Sequence, residues 1–279
     1  MLSKNLPHRE EYVRKKRKQR IITYSLFSAF FLLVVGVASY ISHRPELRVT
    51  SVVLNGEVLV SESEVVAVTK DYVSGSYFFL FPKNNTFWYP QKKLTNLLKD
   101  TFKRIDTIDV ELDGPNTIVI DITERKPVAI WDNGTEGTYF MDMNGTIFSS
   151  APTFSGNAYL KYYGLVEGDP IGQQYIAPED FHKITEFIES VKTNSVYPVH
   201  FIAKTKDSFS LVLSGGTEVY FDNKVSLDVL AENFKALLKT PELAVQKDGS
   251  ILAEYIDLRF GNKLFYKLRD TNTQANESL

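Results

Sequence analysis

The side chains that most often carry enzyme chemistry are scattered along this sequence rather than grouped. Its 279 residues include no cysteine, which excludes disulfides, thiol catalysis and cysteine-ligated metals. The histidines stand apart, at His8, His43, His182 and His200, and no two of them have the spacing of a metal-binding pair. A nucleophilic serine motif and a phosphate-binding glycine loop are also missing from the sequence. The sequence therefore predicts no catalytic residue, no metal site and no cofactor site.

The acidic side chains follow the pattern of solvated strand faces. Asp109 and Glu111 alternate with apolar residues, and so does Asp121 in the next predicted strand; such alternation is typical of a half-buried strand. The Gly215-Gly216 pair indicates a hairpin turn more readily than an anion site. A membrane-anchored extracytoplasmic hydrolase that uses unmarked carboxylates remains the alternative function.

Charge is divided unevenly along the chain. The overall charge is −2, yet the first 20 residues are strongly basic, and the remainder is therefore acidic. The basic residues of this segment are Lys4, Arg9, Arg14, Lys15, Lys16, Arg17, Lys18 and Arg20. An acidic main part argues against nucleic acid as a ligand, and no pattern indicates a small-molecule substrate.

Residues 21–41 form an uncharged, apolar run. As a helix this run is about 31 Å long, enough to cross a hydrocarbon core of roughly 30 Å. The basic segment precedes it, whereas only Arg44 and Arg48 follow closely, which predicts a cytoplasmic N-terminus and an extracytoplasmic C-terminal part. We therefore expect a basic cytoplasmic segment at 1–20 and a transmembrane helix at 21–41. A cleaved signal peptide is the alternative, although its apolar core is usually shorter.

After the membrane run, the pattern predicts a strand, two helices and two strands. The first strand spans 47–54, and Ser61 with Glu64 forms a candidate capping box for the first helix. The second helix begins near Pro90, and the last two strands form a hairpin in which Ile118, Ile120 and Ile122 face inward. This order indicates a compact α+β unit with two helices on one sheet face.

The pattern changes at Glu124-Arg125-Lys126-Pro127, because a proline disfavours continuation of a central strand. We expect Glu124, Arg125 and Pro127 to form an interdomain junction, or simply to end a strand. The following short strands and two helices predict a mixed α/β domain built on an antiparallel sheet. Residues 269–279 are polar and are predicted to form a disordered tail.

The segment between the first two predicted helices is unusually aromatic. Its aromatic residues are Tyr77, Phe78, Phe79, Phe81, Phe87, Trp88 and Tyr89. They either pack beneath the helices or form a docking surface for the membrane interface or a partner. The sequence does not decide between packing beneath the helices and a docking surface.

Three motifs, in order, resemble those of the bacterial division proteins FtsQ and DivIB. The first is the junction at 124–129, followed by Trp131. The second is the short hairpin at 141–148, with Asp142 and Gly145, and the third is the strand at 255–259. The resemblance implies a POTRA domain at 47–125 and an FtsQ-type β-domain at 126–268. The aromatic segment departs from the family pattern, so no contact of that loop is carried over.

The resemblance also implies a function. FtsQ-like proteins are non-enzymatic scaffolds of the division septum in the cell membrane, and they recruit FtsB-like and FtsL-like partners. A POTRA-bearing export component is a weaker alternative, because no long set of membrane-barrel strands follows.

The last predicted strand, 263–268, is the candidate partner site. The family receives FtsB at its last strands, so we expect a partner segment to pair with this edge. The predicted partner-binding residues are Tyr255, Leu264, Phe265, Tyr266 and Lys267. The alternation places Leu264, Tyr266 and Leu268 toward the core and Phe265 and Lys267 on the opposite face. In the alternative, the strand lies between two others and only closes the fold.

Overall fold

The computed structural model describes residues 7–56, 59–134, 137–154, 158–192, 195–261 and 263–269. The predicted disordered tail lies outside the described residues except for Arg269, and so do residues 1–6 of the basic segment. The chain divides into two compact units, residues 1–123 and 124–279.

Helix α1 spans Pro7–Ser42 and contains the whole apolar run. Within it, Glu11–Ser42 is long and apolar enough to cross a membrane, judged by length and composition. The most apolar part of this stretch is not buried against any other described part of the chain. An apolar helix of this length is stable when lipid covers it.

The rest of the first unit is a three-stranded sheet with helices. Its elements are β1 (Ser51–Asn55), α2 (Glu62–Val73), β2 (Ser76–Tyr77), β3 (Phe81–Pro82), α3 (Gln91–Thr101), β4 (Ile105–Asp113) and β5 (Thr117–Glu124). The sheet order is β1-β5-β4, with β1 parallel to β5, and β2 and β3 form a separate small hairpin. The predicted strand, two helices and two strands occur in that order, but the first strand begins at Ser51 rather than at residue 47, and the β2–β3 hairpin between the helices was not predicted.

The inward face of β5 is the one that the alternation predicted. Ile118 and Ile120 are completely buried, and Ile122 is nearly so, in a core that also holds Leu94 and Leu98 of α3. The predicted capping box is wrong, however: Ser61 stands at the N-cap of α2, but its side chain makes no cap hydrogen bond. Its hydroxyl instead lies 2.8 Å from the hydroxyl of Ser63, a local side-chain bond that competes with capping.

The second unit contains a nine-stranded sheet and two helices. Its strands are β6 (Ala129–Asp132), β7 (Thr138–Met141), β8 (Ile147–Ala151), β9 (Lys161–Tyr163), β10 (Pro198–Ala203), β11 (Ser208–Leu213), β12 (Glu218–Asp222), β13 (Ala253–Phe260) and β14 (Lys263–Leu268). Helix α4 (Pro178–Lys192) precedes β10, and α5 (Leu227–Leu237) precedes β13. The strand order is β14-β13-β12-β11-β10-β9-β6-β7-β8.

The predicted α+β class is confirmed, and the larger sheet contains both antiparallel and parallel neighbours. β9 and β10 are parallel, as are β12 and β13, and β6 is parallel to β9. Parallel neighbours require a crossover connection, and here α4 crosses from β9 to β10 while α5 crosses from β12 to β13. Both helices share one core with one sheet face, where Phe187 of α4 lies 4.8 Å from Phe221 of β12, centroid to centroid.

Candidate partner-binding edge

Strand β14 is the terminal strand of the nine-stranded sheet in the part of the chain that the structure describes. It pairs antiparallel with β13, with Tyr255 opposite Lys267, Ile256 opposite Tyr266 and Asp257 opposite Phe265. The alternative in which this strand lies between two others is therefore wrong for the described strands. A terminal strand presents main-chain groups from which pairing can continue.

The five predicted partner residues lie on two different faces of this hairpin. Residues that are directly opposite in a strand pair share a face, and Ile256 is completely buried in the core beneath the helices. Tyr266 therefore lies on the helix-covered face, as does Leu264, which packs against that core. Tyr255, Phe265 and Lys267 lie together on the opposite face. The structure thus brings three of the five together.

The apolar residues of β14 are covered less than the alternation predicted. Leu264 is partly buried, but Tyr266 and Leu268 remain 42% and 41% exposed although they lie on the helix-covered face. The reason is the position of α5, which packs over β13 and whose Asn233 bonds the Gly261 carbonyl at the β13–β14 turn. All three apolar side chains thus lie on the core side, as the alternation predicts, but only Leu264 is packed against the core.

The face that carries Tyr255 and Phe265 centres on Tyr220 of β12. Tyr220 lies opposite Asp257, and its ring is 6.0 Å from that of Tyr255, centroid to centroid. The ammonium of Lys204 lies 4.5 Å from the centroid of the Tyr220 ring, a distance typical of a cation–π contact. This arrangement forms a mixed aromatic and charged surface beside the sheet edge.

Asp257 and Arg259 form an ion pair on β13 within this surface. Arg259 donates from Nε to Oδ1 of Asp257 at 2.8 Å and from its terminal nitrogen to Oδ2. Burial opposes ionisation of Asp257, but the hydrogen bonds from Arg259 outweigh it and lower the pKa of this carboxyl below its usual value. The guanidinium also lies 5.6 Å from the centroid of the Tyr220 ring. The pair therefore fixes a charged group next to the aromatic residues.

Tyr220 is held in its neutral form. Burial, reinforced by the hydrogen bond and the charge of Glu218, raises the pKa of Tyr220 to about 12. Glu218 in turn accepts a hydrogen bond of 3.1 Å from the hydroxyl of Ser210. The aromatic part of the surface is thus a polar but uncharged platform with acidic and basic neighbours.

Phe265 is the most exposed apolar side chain of β14 on this face. It is 49% exposed, and its ring lies 5.1 Å from that of Phe260, centroid to centroid, in an edge-on arrangement. Lys267 forms an ion pair of 2.5 Å with Glu254. An exposed aromatic pair flanked by charges suits recognition by a partner with a central apolar contact.

Sequence reasoning missed several residues of this surface, among them Lys204, Glu218, Tyr220 and Arg259. The alternation in β12 indicates that Glu218 and Tyr220 share a face, but it does not indicate that β12 neighbours β13. That neighbourhood arises because α5 carries the chain across in a parallel connection. The strand order brings Glu218 and Tyr220 next to Tyr255, whereas Arg259 lies on the same strand as Tyr255.

The predicted junction residues lie at the start of the second unit. Arg125 donates a hydrogen bond to Oδ2 of Asp142, whose side chain is almost fully buried. The other oxygen of Asp142 accepts hydrogen bonds of 2.9 Å from the backbone N–H groups of Asn144 and Thr146. One carboxylate therefore caps the β7–β8 turn and holds Arg125.

Within the described residues, no group of three or more acidic or histidine side chains is placed to hold a metal ion.

Among known proteins, no family model matches the chain. It is 23% identical over 224 residues to the cell division protein FtsQ of Mycobacteroides abscessus, a match that covers 80% of this chain. The chain is therefore similar to FtsQ at low sequence identity.

The expected resemblance to the FtsQ/DivIB family is therefore confirmed. The match spans 66% of the length of the mycobacterial FtsQ, a little under two thirds. Two of the FtsQ-like motifs, the junction and the short hairpin, contact each other through Arg125 and Asp142. The third, at 255–259, supplies Tyr255 and the Asp257–Arg259 pair at the other end of the sheet.

Proposed function

We propose that this chain is a single-pass protein of the bacterial cell membrane that acts at the division septum as a non-enzymatic scaffold. Its N-terminus is cytoplasmic and its C-terminal part is extracytoplasmic. Residues 47–125 act as a POTRA domain and residues 126–268 as an FtsQ-type β-domain, connected through Glu124, Arg125 and Pro127. The similarity to FtsQ supports a role in division, and the long apolar stretch of α1 supports a membrane anchor.

The partner-binding step proposed here is strand addition at β14. A segment of an FtsB-like or FtsL-like protein pairs with this edge through main-chain hydrogen bonds. Phe265, Tyr255 and Lys267 contact the partner from one face, and Tyr266 contacts it from the other, while Leu264 supports the strand from the core. The observation that carries this proposal is the terminal position of β14 together with the exposed Phe265.

The main-chain and side-chain parts of this site have different roles. Main-chain pairing supplies affinity for any extended segment, whereas the side chains that flank the edge select the sequence. Phe265 and Phe260 offer an apolar contact, and Lys267 with Glu254 offers one basic and one acidic group. We therefore expect the partner segment to be an extended, amphipathic strand with an apolar residue against Phe265.

The test is the substitution Phe265→Glu in the full-length protein, reconstituted into lipid nanodiscs. It should weaken capture of the FtsB-like and FtsL-like proteins of the same cell by about 10-fold or more, because a central aromatic contact is worth roughly 2 kcal/mol. The unfolding temperature should stay nearly constant, since the side chain is half exposed.

Met143→Glu is the matched control, because Met143 is also an exposed apolar residue of the second unit but lies in the β7–β8 turn. Unchanged capture by Phe265→Glu would remove Phe265 from the site, and loss of folding would mean that β14 only closes the sheet. A fluorescent fusion tests the wider role: uniform membrane fluorescence in dividing cells would contradict the proposed septal function.

A further inference from the structure

The β2–β3 hairpin displays two large aromatic rings at its tip. Phe78 and Phe79 are 85% and 96% exposed. Both have a positive φ, 48° and 61°, and the Leu80 N–H bonds the Tyr77 carbonyl across them at 3.0 Å. This is the turn geometry that favours Asn and Gly, and a bulky residue in it is strained.

Neither strain nor exposure is favourable for these rings in water. Left-handed backbone is disfavoured for residues that carry a Cβ, and exposed aromatic surface is costly to hydrate. Strain of this kind at an exposed tip points to function. The aromatic rings therefore need an apolar environment that the described part of the chain does not supply.

The hairpin lies against the end of helix α1. The hydroxyl of Ser39 donates to the Leu80 carbonyl at 2.7 Å, and the amide of Asn85 donates to the Ser42 carbonyl at 2.9 Å. Asn85 is thus bonded to α1 at Ser42, and Leu80 is bonded to it at Ser39, about 4.5 Å further back along the helix axis. The tip is directed toward the apolar part of α1.

The end of α1 has the composition of a membrane interface. The apolar run ends at Ile41, and the guanidinium of Arg44 lies 5.4 Å from the centroid of the Tyr40 ring. Aromatic and basic residues of this kind are enriched where a transmembrane helix leaves the hydrocarbon core. Because Ser39 precedes Ile41, the residue bonded to it lies at the depth of that interface.

We propose that Phe78 and Phe79 insert into the interfacial layer of the membrane beside the anchor, so that the hairpin is a second membrane contact of the first unit. The occupant of this surface is lipid, because the hairpin tip lies at the helix level where acyl chains and headgroups meet. Aromatic rings are the side chains best suited to that layer. The contact is independent of partner binding at β14, since it involves only residues of the first unit.

The absence of cysteine makes a direct test possible with the full chain. Phe79→Cys, labelled with an environment-sensitive NBD dye and reconstituted into phosphatidylcholine vesicles without any other protein, should show blue-shifted emission. Nitroxide-labelled lipids should quench most of that fluorescence. Leu59→Cys is the matched control: Leu59 is also an exposed apolar residue of this unit, but the 12-residue helix α2, about 18 Å long, lies between it and the hairpin.

Each result decides the proposal. Unquenched, water-like emission at position 79 overturns it, and so does quenching that appears only after a partner protein is added. Equal quenching at positions 59 and 79 would also overturn the assignment to the hairpin.

In a second experiment, the double substitution Phe78→Asn with Phe79→Gly removes both rings but introduces residues that adopt the positive φ of this turn readily. A label at Leu80→Cys should then lose most of its lipid quenching with an unchanged circular dichroism spectrum, whereas undiminished quenching would overturn the role of the rings.

Discussion

Arg125 donates a hydrogen bond to the carboxylate of Asp142, and this bond joins two motifs that are separated in the chain. Asp142 also accepts the backbone N–H groups of Asn144 and Thr146. Each oxygen of the carboxylate therefore accepts hydrogen bonds: one from the Arg125 guanidinium, the other from two backbone N–H groups of the turn. Such a site is sensitive to the loss of either partner, because a buried charge is left without compensation.

Substitution of either member of this pair should destabilise the second unit. We expect Asp142→Ala to lower the free energy of unfolding by about 3 kcal/mol, since it removes a buried carboxylate that binds a partly buried guanidinium and two backbone N–H groups. Urea unfolding in a Trp88→Phe background, which leaves the buried Trp131 as the reporter of this unit, measures the change. The double variant with Arg125→Met should recover at least ~1 kcal/mol relative to the sum of the single changes. Additive losses would contradict a direct coupling.

The first unit should unfold when a charge enters its core. Ile120 is completely buried in β5, and Ile120→Asp both removes apolar burial and introduces an unpaired carboxylate, a loss of about 4 kcal/mol or more. Trp88 fluorescence in a Trp131→Phe background follows this unit. Val53→Asp is the control, because Val53 is an exposed residue of β1 in the same sheet. A cooperative transition that survives Ile120→Asp would show that the inward face has been assigned incorrectly.

The Asp257–Arg259 pair should make the second unit sensitive to acid. Because the pKa of Asp257 is lower in the folded chain, its contribution to stability is present above the unfolded value of about 3.9. It is lost as the pH falls through the lower folded value. Arg259→Gln removes the charged donor, so its unfolding free energy should fall less between pH 5 and pH 3 than that of the unchanged protein.

Arg259→Lys separates the effect of the positive charge at position 259 from the effect of the paired hydrogen bonds that the guanidinium donates to Asp257. A lysine keeps the positive charge but does not form the two-pronged contact of a guanidinium, so its acid dependence should be intermediate. Urea titrations at the two pH values provide the measurement. Identical acid dependence in all three proteins would mean that Arg259 does not set the titration of Asp257.

The orientation in the membrane can be measured with single cysteines. Tyr12→Cys and Met143→Cys replace side chains of similar exposure, 64% and 62%, on either side of the apolar run. The basic segment before that run favours retention in the cytoplasm, so a membrane-impermeant maleimide should label position 143 in osmotically opened cells and spare position 12. Labelling of position 12 alone would reverse the proposed topology.

The sequence by itself determined most of the elements and most of their inward faces, but not the β2–β3 hairpin. The period of two in 117–123 placed Ile118 and Ile120 in the core correctly, because alternation reports local burial directly. The same reasoning placed Leu264, Tyr266 and Leu268 on the core side correctly, but it did not show that Tyr266 and Leu268 remain partly exposed. Cover depends on where α5 lies, and that position is set by packing between residues far apart in the chain.

The tertiary structure alone decided which residues meet. The sequence indicated that β14 follows the other predicted strands, whereas only the strand order shows that it is also the terminal strand of the sheet among the described residues. The surface around Tyr220 depends on a parallel crossover between β12 and β13, and the hairpin tip at Phe79 depends on a bond from Ser39 to the Leu80 carbonyl. Periodicity describes one element at a time, and neither long-range pairing nor a positive φ at a bulky residue follows from it.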